Sequence, residues 1–402
     1  MANTFTSVVR QHWEAGLQRN LEKHLVSMEL ARMKVIADGT VLNIPRLAFQ
    51  SVGTYTKYTN VTVADLTTAN DTLSIDTTQM VTFAIDKIDV GDNYINIIPD
   101  ATSKAGYKLR QAIDGNFLAK YSSAANVYNV NGLNGAAGAP VVLVTGASQN
   151  LSAVFGDSQA KLINDGADLT KICLVVDAFV LNTINTLGLE AGFNVADKAY
   201  TDRVARGYKG MFLGMEVYLA SNLTTTVVLD LATQPTALDT VSIAGQTFTF
   251  VSTIGTTAGN VLIGADVDET RVNLTALINA PGTTSVTGVA VTSPAKFAAF
   301  ISAVDSPSGN TMTLTSKQGR LFASSVMTNA SNDFAAETIH CLMMEKQSIW
   351  MALRDNVTVD QRAEPLKLVD NFLIYTRYGI AVPQEGAERM VNLQIRSAAA
   401  EA

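Results

Sequence analysis

A long stretch of two-residue alternation near the start of the chain constrains the fold more than any other feature. β-Branched and aromatic residues alternate with threonine and other polar residues in three runs: Val41–Pro45, Tyr55–Val63 and Leu73–Ile75. A period of two predicts β-strands, and no neighbouring helical pattern is available to cover them. We therefore predict an extended β-hairpin with two solvated faces. Because a lone two-stranded ribbon is only marginally stable in water, we expect it to dock on another surface.

Helical and strand patterns surround this hairpin. Apolar residues recur every three or four positions from Val9 to Met28, which predicts an amphipathic N-terminal helix. A second stripe from Ala105 to Tyr121 predicts another helix, with Asp100 as its cap. The remaining patterns predict an α+β fold, with a strand at Val81–Asp89, a loop from Asn126 to Asn150, a helix at Asp157–Ile163, a strand at Lys171–Val176 and a helix at Ala178–Leu187.

A composition break marks the segment from about 225 to 333. No Lys or Arg occurs between Lys209 and Arg271, and Thr, Val and Gly dominate. Asp266 and Glu269 are spaced as a capping pair for a helix that ends near Ile278. Strands are predicted on both sides of Ala244-Gly245 and at Val261–Ile263, Gly288–Thr292 and Thr311–Ser316. The segment therefore reads as a small inserted domain.

The last block is predicted to begin with a helix near Phe334. Its apolar stripe comprises Ile339, Leu342, Met343, Ile349, Trp350 and Leu353, with Lys346 among them. Strands are predicted after this helix at Val357–Val359, Leu366–Val369 and Phe372–Tyr378.

Charge excludes one class of function. Charged residues make up 16% of the 402 residues, against about 25% in a typical soluble domain, and the net charge is −7. A dedicated nucleic-acid binder needs a concentrated basic face, which this balance does not favour. The low charge fraction fits either surface hidden against partners or a polar, Thr-rich exterior.

No apolar run reaches the roughly 18 residues of a membrane-spanning helix, and the start lacks a secretory signal, so we expect a soluble chain.

No residue set predicts catalysis, a metal site or a cofactor site. His12 and His24 share one predicted helix but have no third ligand at matching spacing. His340 adjoins Cys341, and neighbours on a helix point too far apart to act as base and nucleophile, so we expect a core or interface histidine. Cys173 and Cys341 lie in apolar stretches and are expected to be buried free thiols.

Two weaker motifs also have structural explanations. The glycine run from Gly132 to Gly138 lacks the Lys-Ser or Lys-Thr of a phosphate-binding loop. Asp266, Asp268 and Glu269 lack the twelve-residue loop of a calcium site, and helix capping explains them better.

The order of these elements resembles the major capsid protein of tailed bacteriophages, which has the Hong Kong 97-type capsid fold. Gly39–Pro45 resembles the start of the family's extended loop, and Phe83–Asp89 resembles the strand that leaves this loop. Asp100–Tyr121 resembles the spine helix, and Lys171–Val176 and Gly207–Leu223 resemble parts of the axial domain. Arg362–Pro365 and Tyr375–Val382 resemble the closing strands.

The resemblance implies a domain layout. Residues 1–38 would be an N-terminal helical arm, 39–80 the extended hairpin loop, 81–130 the peripheral domain with the spine helix, 131–224 the axial domain, 225–333 an inserted surface domain, 334–365 the return of the axial domain, and 366–402 the closing strands of the peripheral domain.

The resemblance also implies a function. The chain would self-assemble through pentamers and hexamers into the icosahedral shell of a virion, enclosing double-stranded DNA without sequence-specific binding. It would be no enzyme, need no cofactor, touch no membrane and assemble in the bacterial host cytoplasm. Portal, scaffolding and decoration proteins are implied partners. Two alternatives remain open: an encapsulin-type nanocompartment, which shares the fold, and a tail or adhesion protein, which could carry the same inserted module.

Shell assembly places two further expectations on particular residues. The arm, the hairpin and the glycine-rich loop at 131–138 are the candidates for flexing between pentamers and hexamers, and the arm bases Arg10, Arg19, Lys23 and Arg32 are expected to face inward. Some family members cross-link neighbouring subunits through a Lys in the extended loop and an Asn elsewhere. Lys57 is the only Lys well placed for this, but no spacing identifies an Asn partner or an activating Glu, so we do not expect the cross-link.

Overall fold

The computed structural model describes residues 25–36, 39–47, 54–60, 68–86, 97–143, 150–191, 208–291, 301–319, 322, 325–329, 331–335, 337–364 and 369–396. The predicted N-terminal helix, with His12, His24, Arg10, Arg19 and Lys23, lies almost entirely outside these residues.

The described helices and strands follow one another in an α+β order. The helices are α1 (Ser27–Leu30), α2 (Ile97–Leu118), α3 (Leu151–Asn164), α4 (Ala178–Ala191), α5 (Val267–Asn279) and α6 (Gln384–Glu388). The strands are β1 (Arg32–Val35), β2 (Val41–Leu47), β3 (Thr68–Ser74), β4 (Thr77–Asp86), β5 (Asn126–Asn129), β6 (Gly132–Leu133), β7 (Ile172–Val176), β8 (Tyr208–Phe212), β9 (Met215–Leu219), β10 (Thr225–Asp230), β11 (Thr240–Ile243), β12 (Gln246–Val251), β13 (Asn260–Leu262), β14 (Ile301–Ser306), β15 (Thr311–Ser316), β16 (Val326–Met327), β17 (Asp333–Phe334), β18 (Thr338–Glu345), β19 (Trp350–Glu364), β20 (Val369–Ala381) and β21 (Met390–Arg396).

A four-stranded sheet carries the long helix α2. Its order is β1-β19-β20-β4, with β1 parallel to β19 and the other pairs antiparallel. Ala105 and Leu109 of α2 bury against Ile374 of β20. Phe83 and Phe372 stack across neighbouring strands with their ring centroids 4.9 Å apart. The apolar stripe of α2 therefore covers one face of this sheet.

The largest sheet is built around β18. This strand pairs with β21, β7 and β10, and the sheet extends through β9 to β8, through β5 to β6, and through β10 to β15 and β14. Every residue from Ile339 to Glu345 is buried. The predicted helix from Phe334 is therefore wrong. A strand buried on both faces is apolar at nearly every position, so its sequence also satisfies the helical spacing.

The segment from 225 to 333 combines part of this large sheet with a second one. Strands β10, β14 and β15 belong to the large sheet, whereas β13-β12-β11-β16 form a separate sheet of four strands. Helix α5 packs between them in a core that includes Phe248, Phe250, Leu274 and Leu314. The paired strands around Ala244-Gly245, the strand near Val261 and the strand at Thr311–Ser316 are confirmed.

The helix α5 begins as its sequence predicts. The Asp266 carboxylate accepts the backbone N–H of Glu269 at 2.8 Å, and Glu269 reaches back to accept the N–H of Ala265 at 2.7 Å. The first bond satisfies an amide that the first turn leaves without a partner, and the second ties the residue before the cap to the helix. The predicted strand at Gly288–Thr292 is reduced to one bridge from Gly288 to Val261.

Other boundaries differ from prediction for local reasons. Helix α2 begins at Ile97, so Asp100 lies inside the helix instead of capping it. Pro99 is tolerated in the first turn because the N–H that it lacks would have no helical acceptor there. The expected loop from Asn126 to Asn150 contains the short strands β5 and β6. Residues 54–60 form a turn and coil instead of the strand predicted at Tyr55–Val63, while 61–67 lie outside the described residues. In the described parts of the chain, no helix is both long and apolar enough to cross a membrane.

Candidate interaction surfaces

The hairpin of β2 and β3 forms a sheet of its own. Its seven pairs run from Val41 opposite Ser74 to Leu47 opposite Thr68, as the alternation predicts. Nearly all of its side chains are exposed or half-buried. In the turn at 54–60, which lies between the two strands in sequence, Tyr58 is 88% exposed, and the Lys57 ammonium lies 5.0 Å from the Tyr58 ring centroid. One face of the ribbon is therefore exposed along its length, whereas the other face, with Leu42, Ile44 and Leu73, is half-buried or buried. The prediction of two solvated faces is right for one face only.

The base of the ribbon is held by a close backbone approach. A Cβ atom built on Gly379 of β20 would lie 2.1 Å from the carbonyl oxygen of Ser74. The N–H of Ile75 donates to Thr40 at 2.7 Å, and Leu73 is fully buried beside this contact. Only glycine fits at 379, which gives a physical reason for the glycine that follows Tyr378.

A charged groove lies between the ribbon and the body. It encloses about 690 Å³ and is lined by residues that include Arg46 and Asp71 of the ribbon and Trp350 and Arg389 of the body. The Arg32 guanidinium stacks over the Trp350 ring at 4.2 Å. This stacking places Arg32, one of the bases expected to face inward, beside β19.

The first described residues are anchored by a buried carboxylate. Asp114 of α2 accepts the backbone N–H groups of Val26 and Ser27 at 2.9 and 2.8 Å, and the Asn222 side chain donates to its other oxygen at 3.3 Å. Burial raises the pKa of Asp114 above its ordinary value, while these hydrogen bonds oppose the rise. Asp114 thereby ties the entering chain to α2 and to residues just before β10.

A second buried polar cluster joins α1 to the large sheet. The Tyr218 hydroxyl lies 2.7 Å from Glu216 and 3.0 Å from Glu29, and Lys346 forms an ion pair with Glu216. Burial, reinforced by the neighbouring carboxylates, raises the pKa of Tyr218, so its hydroxyl keeps the proton that it donates.

The segment from 225 to 333 is braced against α2. A Cβ on Gly115 would lie 2.8 Å from the Lys317 carbonyl oxygen, so the two backbones are nearly in contact. Lys317 donates to Asn116 at 3.3 Å, and the Asn116 amide donates to the Tyr378 hydroxyl at 2.6 Å. One asparagine thus connects this segment, α2 and β20.

Asparagine side chains hold the glycine-rich loop. Asn129 accepts the N–H of Asn131 at 2.8 Å and donates to the Ala136 carbonyl at 3.0 Å. Asn134, at φ +53°, donates to Asn126 at 2.8 Å. These bonds favour one shape for the loop within this chain.

Of the residues considered for chemistry, His340, Cys173 and Cys341 lie in the interior, whereas His12 and His24 lie outside the described residues. His340 stacks on Tyr121 with the ring centroids 4.0 Å apart, and its two ring nitrogens contact Asn392 and Thr226. Burial lowers the pKa of His340 to about 4. Cys173 and Cys341 are both buried and unpaired, as predicted, and burial raises the pKa of Cys173 to about 12. Among the described residues no group of acids, histidines and cysteines is arranged to hold a metal ion.

Neither a family model nor a curated protein sequence matches the chain. Solved structures match it over almost its whole length. The capsid of the cyanophage P-SCSP1u aligns with a TM-score of 0.53 at 10% identity, covering 98% of this chain and 95% of that one. The mature capsid of bacteriophage PhiM1 gives 0.51 at 10%, covering 96% and 92%. The chain has the fold of these phage capsid proteins.

The capsid of a native GTA particle has the same fold, with a TM-score of 0.51 at 9% identity and coverage of 98% of this chain and 97% of that one. The resemblance drawn from the order of sequence elements is confirmed at the level of this capsid fold, as is the α+β class. Sequence reasoning missed Asp114 and Asn116, because isolated polar residues on a helix carry no signal of their partners.

Proposed function

We propose that the chain is the major capsid protein of a tailed bacteriophage and that its copies assemble into an icosahedral shell through pentamers and hexamers. The observation that carries this proposal is the likeness to phage capsid structures over almost the full length of both chains. The ribbon of β2 and β3 supports it, because a two-stranded sheet with one face exposed along its length is suited to dock on a neighbouring surface. The role is structural, without catalysis.

The domain layout expected from the sequence is kept as part of this proposal. Residues 1–38 are the arm, 39–80 the extended loop, 81–130 and 366–402 the peripheral domain, 131–224 and 334–365 the axial domain, and 225–333 the inserted surface domain. Strand pairing adds detail, since β19 and β20 share a sheet with β4 whereas β18 and β21 share one with β7 and β5. The separate core around Phe248 and Leu274 supports treating 225–333 as an insertion.

The shell is proposed to enclose double-stranded DNA without reading its sequence. A net charge of −7 favours a wall that does not grip the genome, because tight binding needs many cationic contacts to phosphate. Assembly in the bacterial host cytoplasm, and contacts with portal, scaffolding and decoration proteins, belong to the same proposal. Residence in the virion follows from the shell itself.

Electron microscopy of the purified protein tests this function. Closed shells, empty or filled with DNA, are the expected result. Shells filled with protein cargo would favour an encapsulin-type compartment, and fibres or free oligomers would favour a tail or adhesion protein. Each of these two outcomes contradicts the proposal.

A further inference from the structure

A groove between α3 and the hairpin of β8 and β9 exposes large aliphatic side chains. Ile163, Leu169, Met211 and Leu213 line it, and each is between 43% and 49% exposed. The groove encloses about 540 Å³, and a hydrogen bond of 3.1 Å from Gln159 to the Leu213 carbonyl joins its two walls. We call it the α3–β8 groove. Apolar patches of this kind on soluble proteins mark interaction sites.

The groove contains little free charge. Its charged lining residue is Glu216, which is already paired with Lys346 and the Tyr218 hydroxyl. The ion pair of Asp168 and Lys171 lies close by in sequence, next to Leu169 and Thr170. An apolar surface whose one charged lining residue is paired, with a further ion pair beside it, has the composition of an interface core with a polar rim.

The loop from Val130 to Val142, here called the asparagine loop, has matching chemistry. No charged residue occurs between Lys120 and Asp157. Val130 is 61% exposed and Val142 is 43% exposed. The asparagine hydrogen bonds described above hold the loop in one shape, which reduces the entropy lost when it docks.

The groove and the loop lie at opposite ends of one sheet. Along the described strands the order is β8-β9-β7-β18-β21-β5-β6, with the groove at β8 and the loop at β6. A ring of identical subunits uses head-to-tail contacts, in which each copy offers two different surfaces. The ends of a sheet are suitable places for such a pair of surfaces.

We infer that the asparagine loop of one copy docks into the α3–β8 groove of the next copy, and that these surfaces are the two halves of one contact within the pentamers and hexamers. The inference rests on the proposed function and names the partner surfaces that assembly would use. Two uncharged, partly apolar surfaces meet without leaving a charge unpaired, as stable interfaces require.

Cross-linking of introduced cysteines in assembled particles tests this contact. The double variant Val130→Cys with Met211→Cys, treated with a short bis-maleimide, is expected to give a ladder of linked chains on a denaturing gel. Each single variant should remain monomeric, because a head-to-tail contact does not bring two copies of the same residue together. Cys173 and Cys341 are fully buried and do not compete for the reagent.

A second pair of introduced cysteines tests the same contact at different positions. Val142→Cys with Ile163→Cys is expected to give the same ladder if the first pair disturbs folding. Val286→Cys with Met211→Cys is the matched control, since Val286 is 82% exposed but lies outside the loop. This control pair should give no ladder.

Three results would overturn the inference: monomers from both double variants in intact particles, dimers from a single variant, or a thiol at 211 that fails to react with a simple maleimide in the unassembled chain. The last result would mean that the chain itself covers the groove. An unmodified chain that forms no particles would contradict the proposed function instead, so the two failures are distinguishable.

Discussion

His340 lies where three strands and the segment after α2 meet. It contacts Thr226 of β10 and Asn392 of β21 and stacks on Tyr121. Because burial lowers its pKa to about 4 while an exposed histidine titrates near 6.5, the unfolded chain binds a proton more readily than the folded chain does. His340 therefore stabilises the fold above pH 6.5, and that contribution is lost as the pH falls toward 4.

This linkage predicts that acid destabilises the chain through His340. Between pH 7.5 and pH 5 the free energy of unfolding should fall by about 2 kcal/mol from this residue. His340→Gln should be less stable at pH 7.5 but lose that part of the pH dependence. Urea unfolding of the unassembled chain at both pH values measures it. Thr226→Val is the control, because it removes one hydrogen bond and keeps the titrating ring. If His340→Gln lost as much stability between the two pH values as the wild type does, the assignment of this pH dependence to His340 would be wrong.

Gly379 shows how one missing side chain positions the ribbon. A methyl group at 379 would collide with the Ser74 carbonyl, and both partners belong to backbone that cannot rotate away. Gly379→Ala is therefore expected to destabilise the chain by about 1–3 kcal/mol and to make the ribbon more susceptible to proteolysis. Thermal unfolding and limited proteolysis measure the two effects.

Gly156→Ala is the matched control for this substitution. Gly156 lies inside α3, and a Cβ built there meets nothing within 4 Å. Alanine at that position should leave stability unchanged or raise it by up to about 1 kcal/mol. Equal behaviour of the two variants would show that the close approach at Gly379 is not a constraint.

Among the secondary-structure elements, β18 is a strand that periodicity wrongly predicts to be a helix. The helices α2 and α5 follow from periodicity because each has one apolar and one polar side, and the hairpin β2–β3 follows from its two-residue alternation. Strand β18 has no polar side, since its neighbours cover it on both faces and both edges, and its apolar residues fit a helix equally well. The burial that decides between the two structures comes from segments distant in sequence.

Helix α5 protects an edge of the large sheet. The Asn279 side chain accepts the N–H of Ala303 and donates to its carbonyl oxygen, both at 2.8 Å, as a neighbouring strand would. Strand β14 is the last strand at this end of the described sheet. Unprotected edges pair with other chains, so Asn279 limits aggregation.

Asn279→Ala is expected to lower stability by about 1–3 kcal/mol and to increase aggregation on heating, because both Ala303 groups lose their partner. The stability of Asn279→Asp should lie between those of Asn279→Ala and the wild type, since the Asp carboxylate still accepts the N–H of Ala303. Val272→Ala, on the exposed side of α5, is the control and should change neither. Light scattering during thermal unfolding gives both values, and normal solubility of Asn279→Ala would argue against edge protection.

At the scale of the whole molecule, the order of elements could be predicted but the interaction surfaces could not. The hairpin, the long helix and the composition break near 225 are local signals, and together they carried the resemblance to capsid proteins. The α3–β8 groove combines Ile163 with Met211, and the charged groove combines Arg46 with Arg389. Such surfaces arise from chain crossings that no local pattern records.

The exposed turn between β2 and β3 in sequence leads to a prediction for the assembled particle. Lys57 lies in this turn with its ammonium group beside the Tyr58 ring, and the sequence supplies no spacing that marks an Asn acceptor or an assisting Glu. Particles boiled in detergent should therefore run as one band at 42.8 kDa. Higher bands that disappear in Lys57→Arg would instead identify Lys57 as the cross-linking residue.

The 225–333 segment and the rest of the molecule share the large sheet, so the segment cannot be removed cleanly. Strand β10 pairs with β15 inside the 225–333 segment and also with Thr338 and Ile339 of β18, so excising the segment would strip part of the body's own sheet. A foreign peptide for display is better placed in the turn near Val286, which is 82% exposed and follows helix α5. Cargo fused there would leave the strand pairing of the body intact.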